Sequence, residues 1–468
     1  VHEPVAGGIQ MHVGVGADFR HHPMPFGAGV LAADRLQWHQ AHIGDGQGEA
    51  RGPSGHVDGR HPWASEREIE IEFVRLGRKV LSVLARLGAV AGDLAPLLAS
   101  LGGLVQIDAP AIGAALVEIP PVIVLGGSGY VAGELLRLIA THPRLHLGAV
   151  VSTSQVGKPL AASFAHLSGV YPDTAFVSLD HAIDQLGESD GWVVVSAAPH
   201  GASAGLVDLL LTAAEAANVK MTVVDASADF RYSDAASFEA IYKQPHPAPQ
   251  WLSSFSCAVP EHLSEIQTPH AAQPGCFATA MLLGIVPMIE HDLCEPQFFV
   301  SAVTGSTGAG RTPRDTTHHP LRQSNLFAYQ PLVHRHQPEV GALAHSATQK
   351  NIRLHFVPHA GPFARGIHAT IFAPRVASVS EEQIRAGLTA YYADSAFVSV
   401  ATSPPRLKDI VGTNNAVLSV SVDDESVAIC CVLDNLVKGA AGGTIQWVNR
   451  LCDWPDAEGL VIAPAGWV

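Results

Sequence analysis

A short β-branched run, Val122 to Leu125, leads straight into Gly126-Gly127-Ser128-Gly129 and then into a helical stretch, Glu134 to Ala140. A strand that hands over to a helix through glycines strongly constrains the fold, because the helix must pack back on the sheet and the next strand then runs parallel to the first. The pattern repeats. Leu147 to Ser152, Trp192 to Ser196 and Met221 to Asp225 read as further buried strands, with Ala202 to Asn218 helical between the last two. The expected fold class is α/β, a doubly wound parallel sheet. Beyond Cys276 the strands lengthen, as in Gln297 to Thr304, Ile367 to Pro374 and Val417 to Val422, and the texture becomes that of an antiparallel α+β domain.

The residues ahead of this pattern behave differently. Up to about residue 64 they are rich in Gly, His and Ala with no period that survives counting, which reads as unstructured. Ser65 and Glu68 form a capping box, and Ile69, Phe73, Leu76, Val80 and Leu84 then recur at helical spacing, so one helix is expected to run to about Ala89. The histidines here have no second pair at ligand spacing, and no metal is expected. This extension fits translated noncoding or misframed sequence ahead of a start at Val117; the competing reading is a helical arm that packs on a partner subunit.

Charge excludes some functions. With 28 Lys+Arg against 43 Asp+Glu the chain carries −15, the wrong sign for a nucleic acid or an anionic membrane surface. Six cysteines spread over 468 residues without CxxC pairs point to free thiols in a reducing compartment, and a cytoplasmic location is expected.

Three places carry chemistry. Gly126-x-x-Gly129-x-x-Ala132 follows a strand and opens a helix, where backbone N–H groups can approach a pyrophosphate; a plain tight turn is the alternative. After the second strand stand Ser152, Thr153 and Ser154, then Lys158, where an NAD enzyme would place a carboxylate. Hydroxyls and a cation suit a 2′-phosphate, so NADP is expected. Gln273-Pro274-Gly275-Cys276 puts one thiol at a turn that begins a helix, whose dipole and unpaired N–H groups stabilise a thiolate. The alternative there is a small buried hydrophobe.

Leu125-Gly126-Gly127-Ser128-Gly129-Tyr130 followed by Glu134-Leu135-Leu136-Arg137-Leu138 resembles the opening of the N-acetyl-gamma-glutamyl-phosphate reductases, relatives of aspartate-semialdehyde dehydrogenase. The resemblance continues in order through Pro199-His200-Gly201, Val224 to Arg231, Pro274-Gly275-Cys276, Gly308 to Arg311, His334-Arg335-His336-Gln337-Pro338-Glu339, Pro358-His359 with Arg365-Gly366, and Asp434 to Gly442. Ala132 stands where the family usually has a third glycine.

The resemblance implies NADPH-dependent reduction of an acyl phosphate to a semialdehyde in arginine biosynthesis, with Cys276 as nucleophile and His359 as acid/base. It places Gly126, Ser128, Gly129, Tyr130, Val131, Ser152, Ser154, Lys158, Pro199, His200 and Asn435 around the cofactor. A substrate with a carboxylate and a phosphate needs cations, and Arg311, Arg314 and Arg365, with Ser306, are the expected substrate-binding residues. Arg231 is either another such cation or the partner of Asp229 or Asp225. His334-x-His336 is read as docking the Arg311 loop. The implied division is a Rossmann domain over 120–275 and 432–468, an α+β catalytic and dimerisation domain over 276–431, and the extension over 1–119. A small-molecule substrate and a homodimer or homotetramer are expected, with no nucleic-acid or membrane partner. The alternatives are reduction of aspartyl phosphate or carrier-bound aminoadipyl phosphate, and a non-catalytic NADP-binding sensor.

Overall fold

The computed structural model describes residues 119–466. The helix expected from Ser65 to Ala89, and the other readings of the extension, lie outside the described residues.

Two sheets organise the described chain. The first contains β1 (Pro121–Leu125), α1 (Tyr130–Thr141), β2 (His146–Val150), β3 (Gly191–Ser196), α2 (Ser203–Ala217), β4 (Lys220–Asp225), β5 (Phe255–Cys257) and β6 (His270–Ala272), with strand order β2-β1-β3-β4-β6-β5 and every pair parallel. Such a sheet must be covered on both faces, and the sequence supplies apolar side chains to both. Val122 and Val124 point to the side of α1, where Leu135, Leu136 and Ile139 meet them, while Ile123 and Leu125 point to α2 and its Val207, Leu210 and Leu211.

The chain then enters α3 (Cys276–Glu290), in which every residue from Phe277 to Ile289 is buried. A helix apolar on all sides is a core helix. Pro287 inside it cannot donate to the Leu283 carbonyl one turn earlier. The Tyr392 hydroxyl donates to that oxygen instead, at 2.7 Å. Around α3 lie β7 (Gln297–Thr304), β8 (Phe327–Ala328), α4 (His336–Thr348), β9 (Arg353–Ala360), β10 (Ile367–Pro374), α5 (Glu381–Tyr391), β11 (Val398–Ala401), β12 (Ala416–Val422) and β13 (Ser426–Leu433). Their sheet runs β11-β12-β13-β10-β7-β9-β8.

This second sheet departs from the antiparallel expectation. β7 pairs with β9 in parallel, as β11 does with β12. The reason for the first is α4, which lies between β7 and β9 in sequence and packs Val340, Leu343 and Ala344 into the α3 core, so the chain crosses over and re-enters the sheet in the same direction. One face of the sheet packs on α3 through Phe298, Val300, Phe356 and Ile371. The other is open, with Phe299 46% and Phe372 43% exposed.

After β13 a π-helical turn, Val437–Ala441, leads into α6 (Gly442–Leu451), which returns to the first sheet and packs Ile445, Trp447 and Val448 beside α1. This return brings the π-helical turn after β13 against the start of α3. The candidate site forms there.

Candidate active site

At the end of β1 the backbone of Gly126 has φ +67, and a Cβ there would sit 2.4 Å from the Ala198 Cα. Only glycine fits a turn that is both left-handed and pressed on its neighbour strand. Gly129 caps α1 with no side-chain hydrogen bond, so the first N–H groups of the helix stay available to an anion. Tyr130 and Val131 begin that helix, exposed and half-buried respectively, and Ser128 offers its carbonyl to Arg311 at 3.0 Å. After β2, Ser154 and Lys158 are exposed, whereas Ser152 is buried, its N–H donating to Val177. Pro199 and His200 lie exposed in the loop after β3.

Cys276 is the first residue of α3, half-buried. Three elements close on it. From the π-helical turn, a Cβ on Gly439 would lie 2.7 Å from the Cys276 Cβ, so a glycine is required for this approach. From the N-terminus of α4, His336 packs its ring edge on Gly275, with Nε2 2.3 Å from where a Gly275 Cβ would be. One turn further along α4, Glu339 accepts the Gly275 N–H at 2.7 Å and pairs with Arg231 at 3.2 Å. Arg231 also donates to the carbonyls of Gln273 and Ala226, which ties the end of the first sheet to this turn.

The electrostatics follow from this packing. Burial pushes the Cys276 thiol above its ordinary value, against the pull of Arg231, the Phe277 N–H and Arg335. Burial likewise holds His336 well below its usual range, with His334, Arg231, Arg335 and His200 adding repulsion. His334, kept near 4 by burial and by Arg335, accepts the His336 N–H on Nδ1 at 3.2 Å. A protonated thiol at the start of α3, with a neutral imidazole against the glycine that precedes it, is a starting state for general-base activation. Because the thiol is raised, alkylation of Cys276 by iodoacetamide should keep accelerating with pH beyond about 9, the ordinary thiol range. A plateau reached near neutrality would mean a preformed thiolate and contradict this balance.

Several expected residues sit elsewhere. His359 is on the wrong face of β9: Leu354 and Phe356 point into the α3 core, Phe356 stacking edge-on at 5.2 Å from Phe277, and the two-residue period of a strand turns His359 the other way. Its Nδ1 lies 3.4 Å from the Ser301 hydroxyl on the open face. The acid/base assignment to His359 is thereby corrected. Arg365 is bound to Glu134 at 2.7 Å and Asp434 at 3.0 Å, which commits its charge to two carboxylates of the protein. Burial pushes Glu134 up, yet Arg365 and Arg137 outweigh it and hold the carboxyl low, so the cluster stays charged and links α1 to the second sheet.

Arg311 reaches the glycine turn and lies 5.5 Å over the Phe164 ring, on the cofactor side instead of the substrate side. Arg314 is exposed in the surface turn closed by Thr317. Ser306 begins a short turn beside Phe363. Asn435 accepts the Gly366 N–H at 2.7 Å and donates to Thr307 at 3.0 Å, so it braces the 305–309 loop. Arg231 pairs with Glu339 and not with Asp229 or Asp225. The histidines at 334 and 336 hold the Cys276 turn, where docking of the Arg311 loop was expected. What could have exposed them is the spacing of His336 and Glu339, three residues apart on one helix face.

The residues match known proteins over both sheets. The semialdehyde dehydrogenase NAD binding domain family covers 121–273, and the semialdehyde dehydrogenase dimerisation domain family covers 276–435. An N-acetyl-gamma-glutamyl-phosphate reductase of Nitrosococcus oceani is 35% identical over 72% of this chain and 97% of its own. The protein named N-acetyl-gamma-glutamyl-phosphate reductase 1 in Pseudomonas putida is 37% identical over 72% of this chain and 96% of its own. A protein of Aeropyrum pernix, provisionally named for reduction of LysW-bound 2-aminoadipate or glutamate phosphate, is 33% identical over 73% and 97%. Among solved structures, aspartate semialdehyde dehydrogenase II of Vibrio cholerae shares the fold with a TM-score of 0.53 at 14% identity, covering 72% of this chain and 99% of that one. The Candida albicans aspartate semialdehyde dehydrogenase, solved with NADP, has a TM-score of 0.52 at 13% identity, covering 72% and 99%.

Proposed function

This chain belongs to the N-acetyl-gamma-glutamyl-phosphate reductase family, and we propose that it reduces N-acetyl-L-glutamyl 5-phosphate to N-acetyl-L-glutamate 5-semialdehyde with NADPH, in arginine biosynthesis. The observation that carries this reading is the setting of Cys276, at the start of a buried helix with Gly439 on one side and His336 against Gly275 on the other.

The first sheet fits a dinucleotide. The left-handed Gly126, the uncapped start of α1 and the exposed Ser154 and Lys158 are suited to a pyrophosphate and a 2′-phosphate. When bound, the nicotinamide cofactor supplies the hydride. The protein's part begins with His336 taking the Cys276 proton as Sγ attacks the acyl carbon; the C–S bond forms and the C–O bond to phosphate breaks. After reduction of the thioester, the thiohemiacetal oxyanion expels Sγ, the aldehyde leaves, and His336 returns its proton to the thiolate. The close approach of Gly439 to Cys276 limits the access of water to the thioester from that side.

If Lys158 reads the 2′-phosphate, kcat/KM should favour NADP over NAD by roughly tenfold or more, since one charge-assisted contact contributes about 1.5–3 kcal/mol. Lys158→Ala should erase much of that preference. Equal kcat/KM for the two cofactors in the parent enzyme would contradict the assignment.

The match to a dimerisation domain, together with the open sheet face carrying Phe299 and Phe372, supports a homodimer or homotetramer, and we place the enzyme in the cytoplasm. No helix among the described residues is long and apolar enough to cross a membrane. A second reading, reduction of a carrier-bound aminoadipyl or glutamyl phosphate, is favoured by the Aeropyrum relative. Activity on free N-acetylglutamate semialdehyde, phosphate and NADP, followed as NADPH formation, separates the two.

A further inference from the structure

We propose that Arg335 and His200 together form the subsite for the phosphoryl group of the acyl phosphate. The proposal rests on the acyl-phosphate reading above and adds the residues that recognise the leaving group.

His200 fixes the argument. Its Nδ1 faces the Ala228 N–H at 3.0 Å, and a neutral ring has one lone pair to offer: where Nδ1 accepts that N–H, Nε2 carries the proton. Yet the nitrogen 2.9 Å from Nε2 is Nη2 of Arg335, which is also a donor. Two N–H groups brought this close do not satisfy one another. An oxyanion placed between them would accept from both.

Arg335 also differs from the two ion-paired arginines, Arg231 and Arg365. Arg231 is matched by Glu339, and Arg365 by Glu134 and Asp434, whereas Arg335 is exposed and makes no ion pair among the described residues. Its charge is felt at Cys276, where it favours the thiolate, and at His336, where it opposes protonation. An arriving anion would cancel both effects, making His336 a stronger base and the thiol more dependent on it for ionisation. The choice of phosphoryl over carboxylate follows from reach. The phosphate is attached to the carbon that Sγ attacks, so a cation sensed by the sulfur lies near the leaving group, while the carboxylate is at the far end of the substrate. Gly201, next to His200, donates its N–H to Asp229 at 2.8 Å, which holds this loop in place.

The test uses the full chain in the phosphate-consuming direction. Arg335→Gln should raise the KM for phosphate by about 10- to 100-fold, the range of one charge-assisted hydrogen bond, with the KM values for semialdehyde and NADP within about twofold of the parent. Arg335→Lys should recover part of the loss, because it restores the charge without the planar fork. His200→Phe should raise the phosphate KM in the same direction. Independently of turnover, inorganic phosphate should slow alkylation of Cys276 in the parent and not in Arg335→Gln. An unchanged phosphate KM, or a shift confined to the semialdehyde KM, would overturn the proposal. If the parent showed no phosphate-dependent turnover on any semialdehyde, the assigned reaction would fail; phosphate protection lost in Arg335→Gln would still support the anion subsite.

Discussion

Cys276→Ser is expected to lower turnover by at least about a thousandfold while binding of NADP survives. A serine hydroxyl ionises far above the thiol range, and the proposed base, His336 against Gly275, is already weakened by burial and by the surrounding cations. The serine side chain is nearly isosteric, so Gly439 and Gly275 keep their packing and the fold is not the cause of the loss. The other thiols offer no replacement: burial pushes Cys294 up to about 12 and Cys257 higher still. Single-turnover and steady-state rates of the variant, with cofactor affinity by fluorescence, check this. An active serine variant, or activity lost instead on changing Cys257 or Cys294, would refute the role of Cys276.

Removing the base should come next in size. His336→Gln is expected to lower kcat by about 10²- to 10⁴-fold, the usual worth of positioned general-base catalysis. Glutamine retains a polar group beside Gly275, so loss of packing is limited. The sharper readout is the pH profile: the limb contributed by the base should vanish, and activity should rise with pH as the thiol ionises unaided. His359→Gln serves as the contrast and should stay within about threefold of the parent, because its ring faces the open side of the sheet. A large loss at His359 with little at His336 would reverse the assignment.

That contrast marks where sequence reading stops. The glycine turn was legible because its residues are consecutive and their chemistry local: Gly126 and Gly129 occur where a strand meets a helix, and the structure has that strand and helix. Gln297–Thr304 and Ile367–Pro374 were legible to the residue, because long half-buried strands alternate over enough positions to count. Phe255–Cys257 and His270–Ala272 are three residues each and carry no period to read. The site posed a different problem. His359 and His336 both lie in motifs of the right family, and only the parity of β9 against α3, a tertiary fact, turns one away and leaves the other against Gly275. The ion pairs of Arg365 are hidden for a similar reason: its partners Glu134 and Asp434 are 231 and 69 residues away in sequence. The parallel pairing of β7 and β9 likewise depends on where α4 packs.

The direct measurement of the central claim is NADPH formation by the full chain from NADP, phosphate and each of two semialdehydes. Turnover should require phosphate, or arsenate in its place, and kcat/KM for N-acetylglutamate semialdehyde should exceed the value for aspartate semialdehyde by at least about a hundredfold, the discrimination reached when polar groups that would pair an acetamido group are left unpaired by a shorter, charged amine. Turnover independent of phosphate, or an equal or higher kcat/KM for aspartate semialdehyde, would contradict that claim.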